Sequence, residues 1–294
     1  MLTFLVTYRW QLTRQYVASI LLIIGWAQQP AWPQVLSVTY PDYGDKAYFT
    51  EVLHLALTQS GGPFELVLGD GSRSQARVLR QIGQGEDWDV TWTMTTAARE
   101  AEPDLYAIRV PLLKGLLGMR LLLINATDTT RFATLTEAEM LALIAGQGHD
   151  WPDTSILRDN GIPVETSLGY FSLFRMLKRN RFDYFPRGLS EVWRELDTPH
   201  GTGLAVAPKW MLYYPAYIYF FVHDKNHALI QRLEEGLAYA QADGSFASLL
   251  MKHFKHYVAH ADLAHRQLIL LENANLASTA PMSFLEFWRQ AIEQ

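Results

Sequence analysis

The stretch Asp87-Trp-Asp-Val-Thr-Trp92 decides the fold, because it is the third short β-rich run in a regular alternation of strands and helices. Strands are predicted at 35–40, 64–68 and 87–92, and helices at 46–60 and 72–81 lie between them. This order is typical of βαβ units, whose strands pair in parallel. The sequence therefore predicts an α/β protein with two mainly parallel sheets flanked by helices.

A second series of strands and helices follows the glycine-bearing segment Lys114-Gly-Leu-Leu-Gly118. Glycine permits the backbone angles that a crossover needs, so this segment is predicted to be a hinge. The aromatic strand at 217–222 then leads into a long helix. We expect two lobes, the first formed by residues 34–117 and 215–294 and the second by residues 118–214.

Residues 1–27 have the layout of a secretory signal peptide. Arg9 and Arg14 are the only charged residues before the apolar run from Val17 to Trp26. That run is too short to cross a bilayer, which takes about twenty residues. Ala27 supplies a small residue for cleavage, so we expect a periplasmic protein. An uncleaved anchor or a buried first helix is the alternative.

The charge balance argues against a nucleic-acid partner. The formal net charge is −5, and removal of the leader, with its two arginines and no acid, would bring it to −7. Such a chain lacks the basic surface that nucleic-acid binding requires. The sequence contains no cysteine, which excludes disulfides and thiolate chemistry. We expect a monomer whose ligand is a small molecule.

Ligands of open α/β sheets bind beyond the carboxyl ends of the strands, where helix N-termini also gather. Asp150 and Asp153 have a structural alternative as a helix-capping pair. Trp92 and Trp151 have one as core residues. The rule selects these candidate ligand-binding residues: Tyr43, Trp92, Thr93, Thr95, His149, Asp150, Trp151 and Arg187.

Arg187 stands between a proline and a glycine at the end of a predicted strand. A guanidinium in this position is expected to meet an anion, and we first interpret it as a ligand contact. The alternative is a structural ion pair with Glu191 or Asp183.

Three histidines, His253, His256 and His260, share one face of a predicted helix. Imidazoles at this spacing can bind zinc or copper. Lys252 and Lys255 lie among them, however, and cations near the negative end of a helix are favourable without a metal. We therefore predict neither a metal site nor a cofactor.

The order of three segments resembles the family 3 extracellular solute-binding proteins of bacteria, which have the type II periplasmic binding protein fold. The segments are Asp89-Val-Thr-Trp-Thr-Met-Thr-Thr-Ala-Ala-Arg99-Glu100, Arg181-Phe-Asp183 and Asp243-Gly-Ser-Phe246. The likeness covers residues 35–254, and the blocks at 146–153 and 181–188 look like those of a divergent branch. It implies a ligand cleft between two α/β lobes.

The resemblance also implies roles for single residues. Arg99 matches the arginine that holds the ligand carboxylate in amino-acid receptors of this family, with Thr93 or Thr95 as the hydroxyl donor beside it. The acid that binds the ammonium group should follow the strand carrying Asp183, where this sequence has Arg187-Gly188. This departure favours an anionic or polyhydroxylated ligand, stacked on aromatic walls, over an ordinary α-amino acid.

The function that these observations favour is capture of a small polar or anionic ligand for an inner-membrane ABC permease. A periplasmic sensor subunit is the alternative, since both roles need the same closure. An enzyme of the lyase or dehydratase type on the same fold is disfavoured. The sequence has no cysteine, no His-Glu-x-x-His and no Gly-x-Ser-x-Gly, so the motifs of common catalytic centres are missing.

The leader gives the first testable prediction. Mass spectrometry of the periplasmic fraction is expected to find a mature N-terminus at or near Gln28, because cleavage after Ala27 fits the small-residue requirement. Recovery of the full-length chain in the membrane fraction would contradict the prediction.

Overall fold

The computed structural model describes residues 35–42, 46–69, 75–276 and 287–288. The predicted leader and Tyr43 lie outside the described residues. The strands are β1 (Leu36–Tyr40), β2 (Phe64–Leu68), β3 (Val90–Met94), β4 (Leu105–Ile108), β5 (Met119–Asn125), β6 (Ala145–Gly148), β7 (Val164–Ser167), β8 (Phe185–Gly188), β9 (Leu204–Tyr213), β10 (Ile218–His223) and β11 (Gln267–Leu270).

Helices separate most of these strands. They are α1 (Lys46–Gln59), α2 (Gln75–Gly83), α3 (Ala97–Glu100), α4 (Thr129–Thr134), α5 (Glu137–Leu141), α6 (Pro152–Asp159), α7 (Tyr170–Lys178), α8 (Val192–Leu196), α9 (His227–Ala242) and α10 (Ser245–His260). Among the described helices, none combines the length and the apolar character that a membrane span needs.

The first sheet has the spatial order β2, β1, β3, β10, β4. Strands β1 and β2 pair in parallel, and the amide of Asp89 donates to the carbonyl of Thr39 at 3.0 Å, which joins β1 to the start of β3. Strand β10 pairs antiparallel with both β3 and β4. Strands β3 and β4 therefore run parallel to each other, and β10, the strand by which the chain returns from the second lobe, runs in the opposite direction between them.

The second sheet has the order β7, β6, β8, β5, β9, β11. Strands β6 and β7 pair in parallel, as do β9 and β11, and a parallel bridge from Ala145 to Tyr184 links β6 to the start of β8. Strand β5 is antiparallel to β8 and β9. Each sheet thus contains one reversed strand, which enters from the other lobe, and the predicted pair of mainly parallel sheets is confirmed.

One segment departs from the predicted lobe assignment. The sequence predicts residues 215–294 in the first lobe, but Gln267–Leu270 adds to the edge of β9 in the second sheet. The physical reason is that the edge of β9 offers unpaired backbone groups. Ile269 is 3% exposed and packs in a buried apolar cluster with Leu122 and Leu212 of the second sheet. The other lobe boundaries stay predictions.

Packing of the first lobe follows from the apolar face of α1. Tyr48, Val52 and Leu53 are buried there at helical spacing, and they pack in one cluster with the long helices α9 and α10. The cluster also contains Trp288, whose indole N–H donates to the carbonyl of Lys114 at 2.9 Å. The C-terminal aromatic side chain therefore packs against the segment that joins the two sheets.

The predicted hinge segment connects β4 to β5. Gly115 has φ +74°, a left-handed conformation that glycine adopts without strain. A second connection, residues 214–217, leads from β9 back to β10. Gly118 contacts it, because a Cβ at this position would lie 1.9 Å from the carbonyl oxygen of Tyr214. The two connecting segments are therefore in direct backbone contact.

We predict that Gly118→Ala destabilises the protein by about 1–3 kcal/mol, since an added methyl group must displace backbone. Urea denaturation measures the change. Gly83→Ala is the matched control, because its Cβ would meet its nearest neighbour at 3.7 Å, an ordinary contact. Equal stabilities of the two variants would contradict the close approach at Gly118.

Candidate functional site

A cavity of about 260 Å³ lies between the two sheets, and both lobes contribute to its walls. Its polar and aromatic lining residues from the first lobe are Phe49, Gln75, Trp92, Thr93 and Arg99, and those from the second are Arg120, Trp151, Asp153, Arg187, Ser190 and Glu191. Of the residues selected from the sequence, the structure brings Trp92, Thr93, Arg99, Trp151 and Arg187 together. Thr95, His149 and Asp150 are not among the lining residues.

The wall in the first lobe is built where β3 ends and α3 begins. Thr96 caps α3 by accepting from the amide of Arg99 at 3.2 Å. This cap turns the Arg99 side chain back over the strand, where Nη1 donates to Thr93 Oγ1 at 3.0 Å and to the carbonyl oxygen of Met94. Thr93 donates in turn to Gln75 Oε1 at 2.9 Å. A guanidinium and a hydroxyl group therefore stand side by side on the cavity.

Thr95 has a different role. Its hydroxyl donates to Glu100 Oε1 at 2.6 Å, and the other oxygen of Glu100 accepts from Arg109 Nε at 2.8 Å. Of the two threonines proposed as the hydroxyl donor beside Arg99, the structure thus places Thr93 in that position.

The two tryptophans are both core and wall. Trp92 is 2% exposed and stacks on Phe49 with ring centroids 5.2 Å apart. Trp151 lies nearly parallel to Phe185 at 6.3 Å. Each ring also lines the cavity. Trp92 and Trp151 are therefore packing residues and cavity-lining residues at the same time.

Arg187 is 6% exposed and tightly paired. Its Nε donates to both oxygens of Glu195, at 2.8 and 2.9 Å, and its Nη2 donates to Glu195 Oε1 at 2.6 Å. Glu191 Oε2 lies 3.2 Å from the same Nη2. The structure therefore shows the ion pair with Glu191 that was the alternative interpretation, and it adds Glu195. Asp183 pairs instead with Arg131 at 3.0 Å.

Arg120 was missed by the sequence analysis. It lines the cavity at 4% exposure, and its Nη2 lies 2.6 Å from Asp153 Oδ1. The Tyr214 hydroxyl donates to the same carboxylate oxygen, and burial raises the Tyr214 pKa well above its ordinary value. Arg120 Nε has no hydrogen-bond partner within the described ranges. The available signal was a charge inside the apolar run Met119-Arg-Leu-Leu-Leu-Ile124, since a buried cation needs a partner.

Glu191, which the sequence analysis considers only as an ion-pair partner of Arg187, supplies an acid on this wall. Its Oε2 accepts from the amide of Gly188 at 2.9 Å and lies 3.7 Å from Arg120 Nη1. Burial acts to raise the pKa of Glu191, but Arg187 and Arg120 outweigh it and hold the pKa below its usual range. Glu191 and Asp153 both line the cavity. The argument against an α-amino acid, which rested on a missing acid, therefore loses its basis.

His149 and Asp150 are exposed. Asp150 and Asp153 do not form the capping pair, because α6 begins after Trp151 with Pro152 at its first position. Proline suits this position since it has no N–H to satisfy. Asp153 forms an ion pair with Arg120 instead.

The three helical histidines have separate partners. His253 lies 3.3 Å from Glu51, His256 contacts the ring of Tyr257, and His260 stacks on Trp193 with centroids 4.0 Å apart. In the part of the chain that the structure describes, no cluster of three or more His, Cys, Asp or Glu residues could hold a metal ion.

Comparison with known proteins finds the fold in solved structures. No family model matches the chain, and the search of curated proteins finds no match. The probable amino-acid ABC transporter extracellular-binding protein YtmK of Bacillus subtilis has a TM-score of 0.57 at 15% identity, over 75% of this chain and 98% of that one. The periplasmic VFT2 domain of Bordetella pertussis BvgS has a TM-score of 0.54 at 15% identity, over 74% and 93%.

A third similar structure is a Salmonella typhimurium periplasmic binding protein of high arginine specificity. Its TM-score is 0.53 at 15% identity, and the match covers 75% of this chain and all of that one. The chain therefore has the two-lobed fold of the periplasmic binding proteins. This confirms the fold implied by the resemblance to family 3.

The buried pair of Arg120 and Asp153 gives a stability prediction. Asp153→Ala is expected to cost about 3–5 kcal/mol in the free energy of unfolding, because it leaves a buried guanidinium without its carboxylate. Arg131→Ala is the control in the same lobe. Arg131 is 45% exposed, and an exposed pair contributes about 0–1 kcal/mol. Urea denaturation measures the free energy of unfolding of both variants. Equal losses of stability in the two would contradict a structural role for the buried pair.

Proposed function

We propose that the protein is a periplasmic solute-binding protein, which captures a small polar ligand between its lobes and delivers it to an inner-membrane ABC permease. The observation that carries the proposal is that one cavity is lined by Arg99 and Thr93 from the first lobe and by Arg120 and Glu191 from the second. A ligand that contacts both walls stabilises the closed arrangement. Only such differential affinity can shift an equilibrium between open and closed states.

The ligand chemistry follows from the walls. The guanidinium of Arg99 suits an anionic group, most simply a carboxylate, and the Thr93 hydroxyl, which accepts from it and donates to Gln75, holds it in place. On the opposite wall two arginines, Arg120 and Arg187, are paired with three carboxylates, those of Asp153, Glu191 and Glu195. Both guanidiniums are therefore neutralised, one carboxylate charge is in excess, and the wall suits polar groups. The volume of about 260 Å³ is near the lower end of ligand pockets, about 300–1,000 Å³. We propose a small metabolite with one anionic group, amino acids included.

A sensor subunit is the second candidate function. The similar structures include the BvgS domain and a histidine kinase sensor domain, the latter with a TM-score of 0.52 at 13% identity. Both roles use the same capture and closure, and they differ in the membrane partner that recognises the closed form. Since the similar structures named above are binding proteins and sensor domains, we propose no catalytic step.

A thermal-shift screen of small carboxylates and other anionic metabolites tests the proposal. A ligand at a hundred times its dissociation constant adds about 2.7 kcal/mol of stability, which the melting temperature reports. The compound found is then titrated by calorimetry into the wild type and into Arg99→Ala. Loss of a desolvated charged contact typically costs about 2–5 kcal/mol, so the affinity is expected to fall at least tens-fold.

Arg109→Ala is the matched control, because Arg109 belongs to the same lobe but its side chain is 70% exposed. Its affinity for the ligand is expected to equal that of the wild type. Small-angle scattering is expected to show compaction on binding. A ligand that binds Arg99→Ala as tightly as the wild type, or binds without compaction, would count against capture between the lobes.

A further inference from the structure

The guanidinium of Arg187 occupies an enclosure that we call the Arg187 box. Its walls are the carboxylates of Glu195 and Glu191 and the rings of Trp151, Tyr170 and Phe185. The carbon of the guanidinium lies 5.2, 5.7 and 4.7 Å from the centroids of those three rings. Glu195 accepts hydrogen bonds from two nitrogens of this guanidinium, Nε and Nη2, at 2.6–2.9 Å.

This arrangement is one that recognises a guanidinium or ammonium group. A carboxylate that accepts hydrogen bonds from two N–H groups fixes the plane of a guanidinium. Aromatic faces attract a desolvated cation. The Tyr170 hydroxyl also donates to Glu195 at 2.6 Å, which holds the carboxylate in place. The box is therefore specific for a cation, and the chain supplies that cation itself.

The box adjoins the candidate ligand cavity. Trp151, Glu191 and Arg187 line the cavity and also belong to the box. Glu195 and Phe185 lie behind them at 8% and 0% exposure. A ligand in the cavity consequently meets the box with its cation already in place.

We propose that Arg187 determines the specificity of the cavity: its guanidinium fills a cation-binding box at the edge of the ligand site and so excludes ligands with a cationic side chain. The proposal rests on the proposed function in one respect, that this cavity is where the ligand binds. Without the Arg187 side chain, the same two carboxylates and three rings would accept an external guanidinium.

The experiment is chemical rescue of Arg187→Ala by methylguanidinium at millimolar concentrations, below those that denature proteins. The variant is expected to melt below the wild type, because Glu195 is left buried without its cation. Methylguanidinium well above its dissociation constant is expected to raise the melting temperature by about 2–4 °C, and the wild type is expected not to respond. If the variant does not fold alone, circular dichroism follows its refolding as methylguanidinium is added.

Arg187→Ala combined with Glu195→Gln is the matched control, because it keeps the space and removes the main carboxylate. This double variant is expected not to respond to methylguanidinium. N-methylurea, which has a similar shape and no charge, is expected to rescue neither protein. An equal response of the wild type, an equal response of the double variant, or no response of folded Arg187→Ala would overturn the proposal.

The test is independent of the natural ligand, because its probe is methylguanidinium. A failed rescue would leave capture by Arg99 unaffected. Conversely, equal ligand affinities of the wild type and Arg99→Ala would contradict the proposed function, while rescue would still show that the box binds cations.

Discussion

The buried charge of Arg120 is the constraint on which the second lobe depends. Strand β5 carries this guanidinium into an apolar layer, where an unpaired cation is strongly unfavourable. Asp153 at the start of α6 and Tyr214, which directly follows β9, meet it there. Three elements that are distant in sequence are thereby fixed around one group, and that group lies on the candidate ligand cavity.

The two walls of the cavity are built on different principles. In the first lobe, a short capped helix turns Arg99 back onto the hydroxyl of Thr93. In the second, Arg120 and Arg187 are held by carboxylates. A ligand therefore meets one wall that offers a guanidinium beside a hydroxyl and another on which both guanidiniums are neutralised by carboxylates. The first wall is suited to affinity for an anion, and the second to selection among ligands.

Some features of the site were predictable because they depend on local sequence. Trp92 and Thr93 lie in β3 and Arg99 follows it closely, so the carboxyl-end rule and the family resemblance select neighbouring residues, and all three line the cavity. Arg187 was found by the same rule, but its partner Glu195 was not. Glu195 lies eight residues further on, in a separate short helix, and no periodic pattern connects the two. Arg120 was overlooked because its strand has the appearance of an apolar core segment.

The sequence by itself determined the alternation of strands and helices, the glycine-bearing connection between lobes and the apolar faces that form the cores. These features follow from residue type and from the spacing of apolar residues, every two positions in a strand and every three or four in a helix. Both are local properties of the chain. Only the tertiary structure decided which charges are neutralised, that Arg187 is enclosed, that Glu191 faces the cavity, and that Gln267–Leu270 joins the second sheet. Those outcomes depend on contacts between distant segments, where burial sets the energy of a charge or of an open strand edge.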